Sequence, residues 1–274
     1  MKARIRAVSL ELTLRLMLGC ALVCGQVSAN ATPVSDIDTS LATAARIAEP
    51  TPSPALKTYE ARYQASAMGL SATAYRSLTL EGEQYRLQNS ISLTLLGATV
   101  GSVTETSIFS LKEGDVTPLQ YHYEQTGVGA RSEQVDFDWQ RNTAHSVAGD
   151  RNWMLPLTPG VMDRLSFSLQ LGRDIDGSAH QEFSYQLVDR DDIDIHQYRI
   201  TAEEVISTPA GDIDTLRIER VRESDSNRHT VVWLARDWGN MLVKLEQVNS
   251  SGMRTELTLE SATVDGQPLT PSPP

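Results

Sequence analysis

Along most of this chain apolar and polar side chains occupy alternate positions. The clearest run is Tyr85, Leu87, Ile91, Leu93 and Leu95, with Asn89 its one polar member, interleaved with Gln84, Arg86, Gln88, Ser90, Ser92 and Thr94. On extended backbone, successive side chains point to opposite faces, so a period of two gives a strand with one apolar and one polar face. The alternation recurs in Leu119/Tyr121/Tyr123, Val135/Phe137/Trp139, Phe183/Tyr185/Leu187, Leu216/Ile218, Val231/Trp233/Ala235, Val243/Leu245 and Leu257/Leu259. Turn-forming stretches separate these runs, among them Glu81-Gly82, Glu113-Gly114-Asp115, Arg141-Asn142, Pro209-Ala210-Gly211-Asp212 and Asp237-Trp238-Gly239-Asn240. Short connections of this kind favour antiparallel neighbours. The period breaks once, where Val161, Leu165, Phe167 and Leu169 around Asp163-Arg164 predict a short helix opening after Pro159-Gly160. About ten one-sided strands cannot remain a flat sheet, because their apolar faces must meet. The expectation is an all-β fold: a strongly curved antiparallel meander, barrel-like or half-barrel, with one short helix.

The two ends of the chain lack this pattern. Lys2, Arg4 and Arg6 precede an apolar stretch from Leu16 to Gly25, and Val27-Ser28-Ala29 follows with small residues at the positions a signal peptidase reads. Residues 1–29 therefore read as a secretory signal cleaved after Ala29. The apolar stretch is shorter than the ~20 residues a bilayer-spanning helix needs, so the mature chain is expected to carry no transmembrane segment. Met17-Leu18-Gly19-Cys20 offers a second reading, a lipobox with Cys20 lipidated, which Glu11 and Arg15 inside the apolar stretch argue against. Residues 30–57, rich in Ala, Thr, Ser and Pro and free of aromatics, read as a disordered linker, and residues 265–274 as a disordered tail. Residues 58–264 remain as the β-rich domain.

Export changes the electrostatics and the chemistry available. The whole chain has a formal net charge of −11, and the portion after Ala29, which loses four bases and one acid, carries −14 and no cysteine. A broadly acidic surface disfavours binding nucleic acid or anionic headgroups through a broad charged patch, and without thiols the domain relies on a core rather than on disulfides. The location this implies is the periplasm.

Several stretches resemble the bacterial envelope family known as domain of unknown function 3108. They are Thr117-Pro118-Leu119-Gln120-Tyr121, Phe137-Asp138-Trp139, Asp163-Arg164-Leu165-Ser166, the long run from Thr208-Pro209-Ala210-Gly211-Asp212 to Arg220, and Val232-Trp233-Leu234-Ala235-Arg236-Asp237. The resemblance covers roughly residues 58–262 and departs at Leu242, where the family often has proline. It implies an exported β-rich domain with no agreed biochemical role, and a kinship in shape to curved-sheet carriers of lipids or lipoproteins.

No hydrolase elbow, phosphate-cradling loop, zinc helix or CxxC occurs, so neither an enzyme nor a cofactor is expected. Asp192, Asp194 and His196 alternate with Ile193 and Ile195 and could share a face as ligands of a divalent ion. The favoured reading of that strand is a solvated polar face opposite two core isoleucines, with no metal. The ligand-binding candidates are Trp153, Met154, Leu155, Leu157 and Met162, large apolar residues in a segment whose prolines argue against a regular strand interior. They would form an apolar lip at a cavity mouth, or a plug closing one end of the sheet. Trp139 and Trp233 fall on apolar strand faces and read as core. Leu87 to Thr104 carries no charge and fits a cavity wall or a buried hairpin, with Gly97 a candidate bulge. The resulting expectation is a non-enzymatic binding module for an apolar ligand such as a lipid, an acyl chain or a lipoprotein segment. The alternative is an envelope scaffold acting through protein contacts at Trp153–Met162.

Overall fold

The computed structural model describes residues 55–67, 70–95, 98–127, 129–222 and 226–269. The stretch read as a signal, Cys20, most of the stretch read as a linker, Gly97 and the end of the chain lie outside the described residues. Eight strands follow one another as a meander: β1 (Tyr59–Ala67), β2 (Leu70–Glu81), β3 (Gln84–Leu95), β4 (Ala98–Lys112), β5 (Asp115–Gln125), β6 (Arg131–Asp138), β7 (Thr143–Ala148) and β8 (Arg151–Pro156). After the two-residue β9 (Val161–Met162) and helix α1 (Phe167–Gly177) comes a second meander. It comprises β10 (Glu182–Asp189), β11 (Asp192–Thr208), β12 (Gly211–Val221), β13 (His229–Ala235), β14 (Met241–Val248) and β15 (Arg254–Val264). β1 pairs antiparallel with β15 and fuses the two meanders into one curved sheet, with β8 and β9 as its open edges. The short β16 (Gln267–Pro268) adds to β15 within what composition assigns to the tail. Leu56, in the stretch assigned to the linker, packs on the core and donates its N–H to the Tyr85 hydroxyl at 3.2 Å.

The period-two expectation holds along most strands. Tyr85, Leu87, Ile91 and Leu93 are buried, as are Tyr121, Tyr123, Val135, Phe137, Tyr185, Leu187, Leu257 and Leu259. Bulges change the inward parity in places. In β5 the inward face passes from Val116 and Pro118 to Tyr121 and Tyr123, and the register with β4 shifts there. The β3–β4 hairpin has its own shift beside Leu93.

Four local expectations are corrected. The helix begins at Phe167, not after Gly160, because Val161 and Met162 are drawn into a parallel pairing with Gln186 and Leu187 of β10. Arg151–Pro156 is a regular strand: it forms the sheet edge, where the missing N–H of Pro156 deprives no neighbour of a donor. The polar face of β11 points inward. His196 is 5 % exposed and Ile195 64 %, since Tyr185 and Leu187 of β10, both buried, stand opposite His196 and Asp194. Directly opposed residues share a face, so pairing outweighs hydrophobicity here. Trp233 is buried but turned away from the central cluster, which Val232 and Leu234 join instead. Its ring lies between Lys244 at 5.1 Å and Arg217 at 5.9 Å, and its indole N–H donates to Glu204 at 2.6 Å.

Helix α1 packs within the curve of the sheet, with Phe167 and Leu171 in the same core cluster as both meanders. Gln170 accepts from the Val116 amide at 2.8 Å, and Asn240 donates to the Gly172 carbonyl and to Asp176, each at 2.8 Å. Gly172 permits this approach: a Cβ there would stand 3.2 Å from the Asn240 Cβ.

Candidate functional site

One rung of the sheet carries polar groups across its inner face. Arg76 of β2 stands opposite Asn89 of β3, Asn89 opposite Glu105 of β4, Glu105 opposite Tyr123 of β5, and Tyr123 opposite Glu133 of β6. The turn between β9 and α1 settles onto this belt. Asp163 accepts from the amides of Leu165 and Ser166 at 2.7 Å each, from the Ser166 hydroxyl at 2.7 Å and from Ser107 of β4 at 2.6 Å. Burial pushes its carboxyl upward against those four bonds. Beside it, Arg164 donates to Glu133, to Asp189 at 3.1 Å and to the Tyr121 hydroxyl at 3.1 Å, with its guanidinium over the Tyr121 ring. Tyr121 in turn donates to Glu105 at 2.5 Å. Burial raises the Glu105 carboxyl to about 7, opposed by the Tyr121 hydrogen bond and by Arg164. His196 is driven down to about 3 by burial and by Arg220, Arg222 and Arg164, and its Nδ1 has no hydrogen-bond partner among the described residues.

Beyond the Arg76 end of the belt the interior opens. A cavity of about 370 Å³ lies between α1 and strands β1, β2 and β13 to β15. Its walls are mostly apolar, with Leu78, Val232, Leu234, Leu242, Leu245 and Leu257 prominent. Arg76, Asn89, Glu105 and Ser168 form a polar margin. The volume falls within the range of roughly 300–1,000 Å³ typical of small-molecule pockets.

The five residues proposed from sequence do not converge on this cavity. Leu155, Leu157 and Met162 are buried in the core, Trp153 is half-buried with Arg151 over its ring at 5.4 Å, and Met154 is 62 % exposed on the edge strand. None of the five lines the cavity. The uncharged hairpin does contribute, through Asn89 and Ser90. Among the described residues no cluster of His, Cys, Asp and Glu is arranged to hold a metal ion. Arg76 and Glu105 are not among the candidates the sequence offers, although each places a charge within an inward-facing series, Ala74-Arg76-Leu78 and Val103-Glu105-Ser107-Phe109.

No curated protein matches the chain. Among solved structures it is similar to a β-barrel-like protein of domain of unknown function DUF1849 from Brucella abortus, with TM-score 0.52 and 8 % identity over 76 % of this chain and 98 % of that one. A protein from Bacteroides fragilis assigned as exported, with a YmcC-like fold, gives TM-score 0.35 and 11 % identity over 77 % and 98 % of the two chains. A protein from Parabacteroides distasonis assigned as a lipoprotein gives 0.30 and 12 % over 77 % and 97 %. The likeness to the Brucella protein is one of fold: a large curved antiparallel sheet that here does not close. The family model described as Protein of unknown function (DUF3108) matches residues 58–258, and the chain belongs to that family.

Proposed function

We propose that this protein is a non-enzymatic binding module of the cell envelope that holds one apolar chain in the cavity between α1 and the inner face of the sheet. The observation that carries this reading is the cavity itself, about 370 Å³ and walled mostly by apolar side chains. The basic-then-apolar N-terminal segment supports export. No helix among the described residues is long and apolar enough to cross a membrane. Binding of the methyl ester of cis-parinaric acid, a fluorescent uncharged chain, tests the reading. One equivalent is expected to bind, and Val232→Trp, which fills the cavity from β13, is expected to weaken binding at least about tenfold. Failure to bind, or binding that Val232→Trp leaves unchanged, contradicts it.

A second reading, contact with another envelope protein, draws on the open edge at β8. Its unpaired backbone groups and the exposed Met154 offer a place for strand addition. A photo-crosslinker at residue 154 that traps a discrete protein partner in cells favours that reading, and the absence of any adduct removes it.

A further inference from the structure

Arg76 has no ion-pair partner among the described residues, and Glu105 acts on it only at longer range. Its Nε donates to the Tyr59 hydroxyl at 2.8 Å, Nη1 to Asn89 Oδ1 at 2.9 Å and Nη2 to the Ser168 hydroxyl at 2.7 Å, all neutral acceptors. No carboxylate among the described residues forms an ion pair with it, whereas Arg164, further along the interior, is flanked by two. A guanidinium offers five N–H donors, so two remain beyond the three in use. The nearest acid along the belt, Glu105, accepts the Tyr121 hydroxyl instead. Arg76 is only partly buried and lines the margin of the apolar cavity, where its remaining donors can meet a ligand.

We propose that Arg76 is the head-group receptor of the cavity and that the ligand is a single-chain amphiphile with an anionic head, its tail among the Leu and Val side chains and its carboxylate or phosphate on the Arg76 guanidinium. This rests on the cavity's being the binding site and goes on to name the ligand's chemistry. A volume of about 370 Å³ is at the lower end of the ligand-site range and suits one chain rather than several. An anion gains charge-assisted hydrogen bonds that a neutral head of similar size does not. In the other direction, a neutral head leaves the guanidinium with three neutral acceptors and no ion-pair partner.

The test is a head-group series on the full chain, read by fluorescence. cis-Parinaric acid and its methyl ester share chain and fluorophore and differ only in charge. The acid is expected to bind at least about tenfold more tightly. Arg76→Gln is expected to abolish that preference, chiefly by weakening binding of the acid, and Arg76→Lys to retain part of it. Far-UV circular dichroism of each variant is the control for folding. Sodium palmitate and hexadecyl phosphate then compete with the bound acid, and displacement by one more than the other identifies the head as carboxylate or phosphate. Equal binding of acid and ester by the wild type, a preference that survives Arg76→Gln, or displacement by neither anion overturns the inference while leaving the apolar site standing. Binding of neither probe overturns both. The wild-type comparison stands even if Arg76→Gln does not fold.

Discussion

Of the arginines that reach the inner face of the sheet, Arg164 and Arg76 have surroundings that differ in kind. Arg164 is enclosed: Glu133, Asp189 and the Tyr121 hydroxyl accept from it, and its side chain is 8 % exposed. Arg76, one end of the same polar belt, is met by a phenol, an amide and a hydroxyl, and a cavity begins beside it. The first environment is complete without a ligand and serves to anchor the turn that starts α1. The second has its hydrogen bonds but, among the described residues, no ion-paired carboxylate. A buried network that satisfies every charge reads as structure, and one that leaves a single charge facing an apolar space reads as a site.

Removing the enclosed arginine is expected to have the largest effect. Arg164→Met leaves Glu133 and Asp189 buried with only Arg131 at 3.2 Å and Arg190 at 3.5 Å for company. A loss of about 3–5 kcal/mol in urea unfolding is expected, with no change in the acid-over-ester preference if the variant folds. A loss below about 1 kcal/mol would break the comparison.

Next comes pH. Glu105 has a carboxyl raised from 4.5 to about 7 in the folded protein, so between those values the folded state holds a proton the unfolded chain has released. Stability from this group is therefore fully present below about pH 4.5 and is lost as pH rises through 7, by on the order of 3 kcal/mol. Glu105→Gln keeps the neutral form at all pH values, and its advantage over wild type is expected to grow between pH 5 and pH 8. His196, lowered to about 3, acts in the opposite sense as pH falls below 6.5, but it is common to both proteins and cancels in their difference. A difference that does not change with pH would show that Glu105 stays ionised.

Arg76→Gln is expected to cost less, about 1–2 kcal/mol, because it leaves only neutral acceptors behind. A cost equal to that of Arg164→Met would erase the distinction between the two arginines. The smallest effect belongs to Met154→Ser: being exposed on the edge strand, it should shift stability by no more than about 0.5 kcal/mol and leave probe binding unchanged.

Much of the fold is legible in the sequence because alternation is a local signal. The hairpins follow from runs such as Tyr85–Leu93 and from turns such as Glu81-Gly82, and the family resemblance follows from the same stretches. Alternation fails where both faces are apolar or where pairing decides. Val231-Val232-Trp233-Leu234 has no period, so which face turns inward was fixed by the pairing of Val232 with Ile218 and Leu245. In β11 the residues opposite, in β10, turn His196 in and Ile195 out. The site was less legible than the fold. Large apolar residues in Trp153–Met162 drew attention, yet most of them simply fill the core. The informative signal was quieter: Arg76 and Glu105 each replace one apolar member of an otherwise inward-facing series. Only the strand register shows that Arg76, Asn89 and Glu105 share a single rung.

The central claim, that the ligand's chain lies between α1 and the sheet, is most directly tested by contact quenching with a dibrominated stearic acid. Trp238 lines the cavity, whereas Trp139, Trp153 and Trp233 do not. The account predicts that the brominated acid quenches wild-type tryptophan fluorescence, that Trp238→Phe abolishes the quenching, and that Trp153→Phe leaves it in place. Quenching that survives Trp238→Phe, or that disappears in Trp153→Phe, would contradict it.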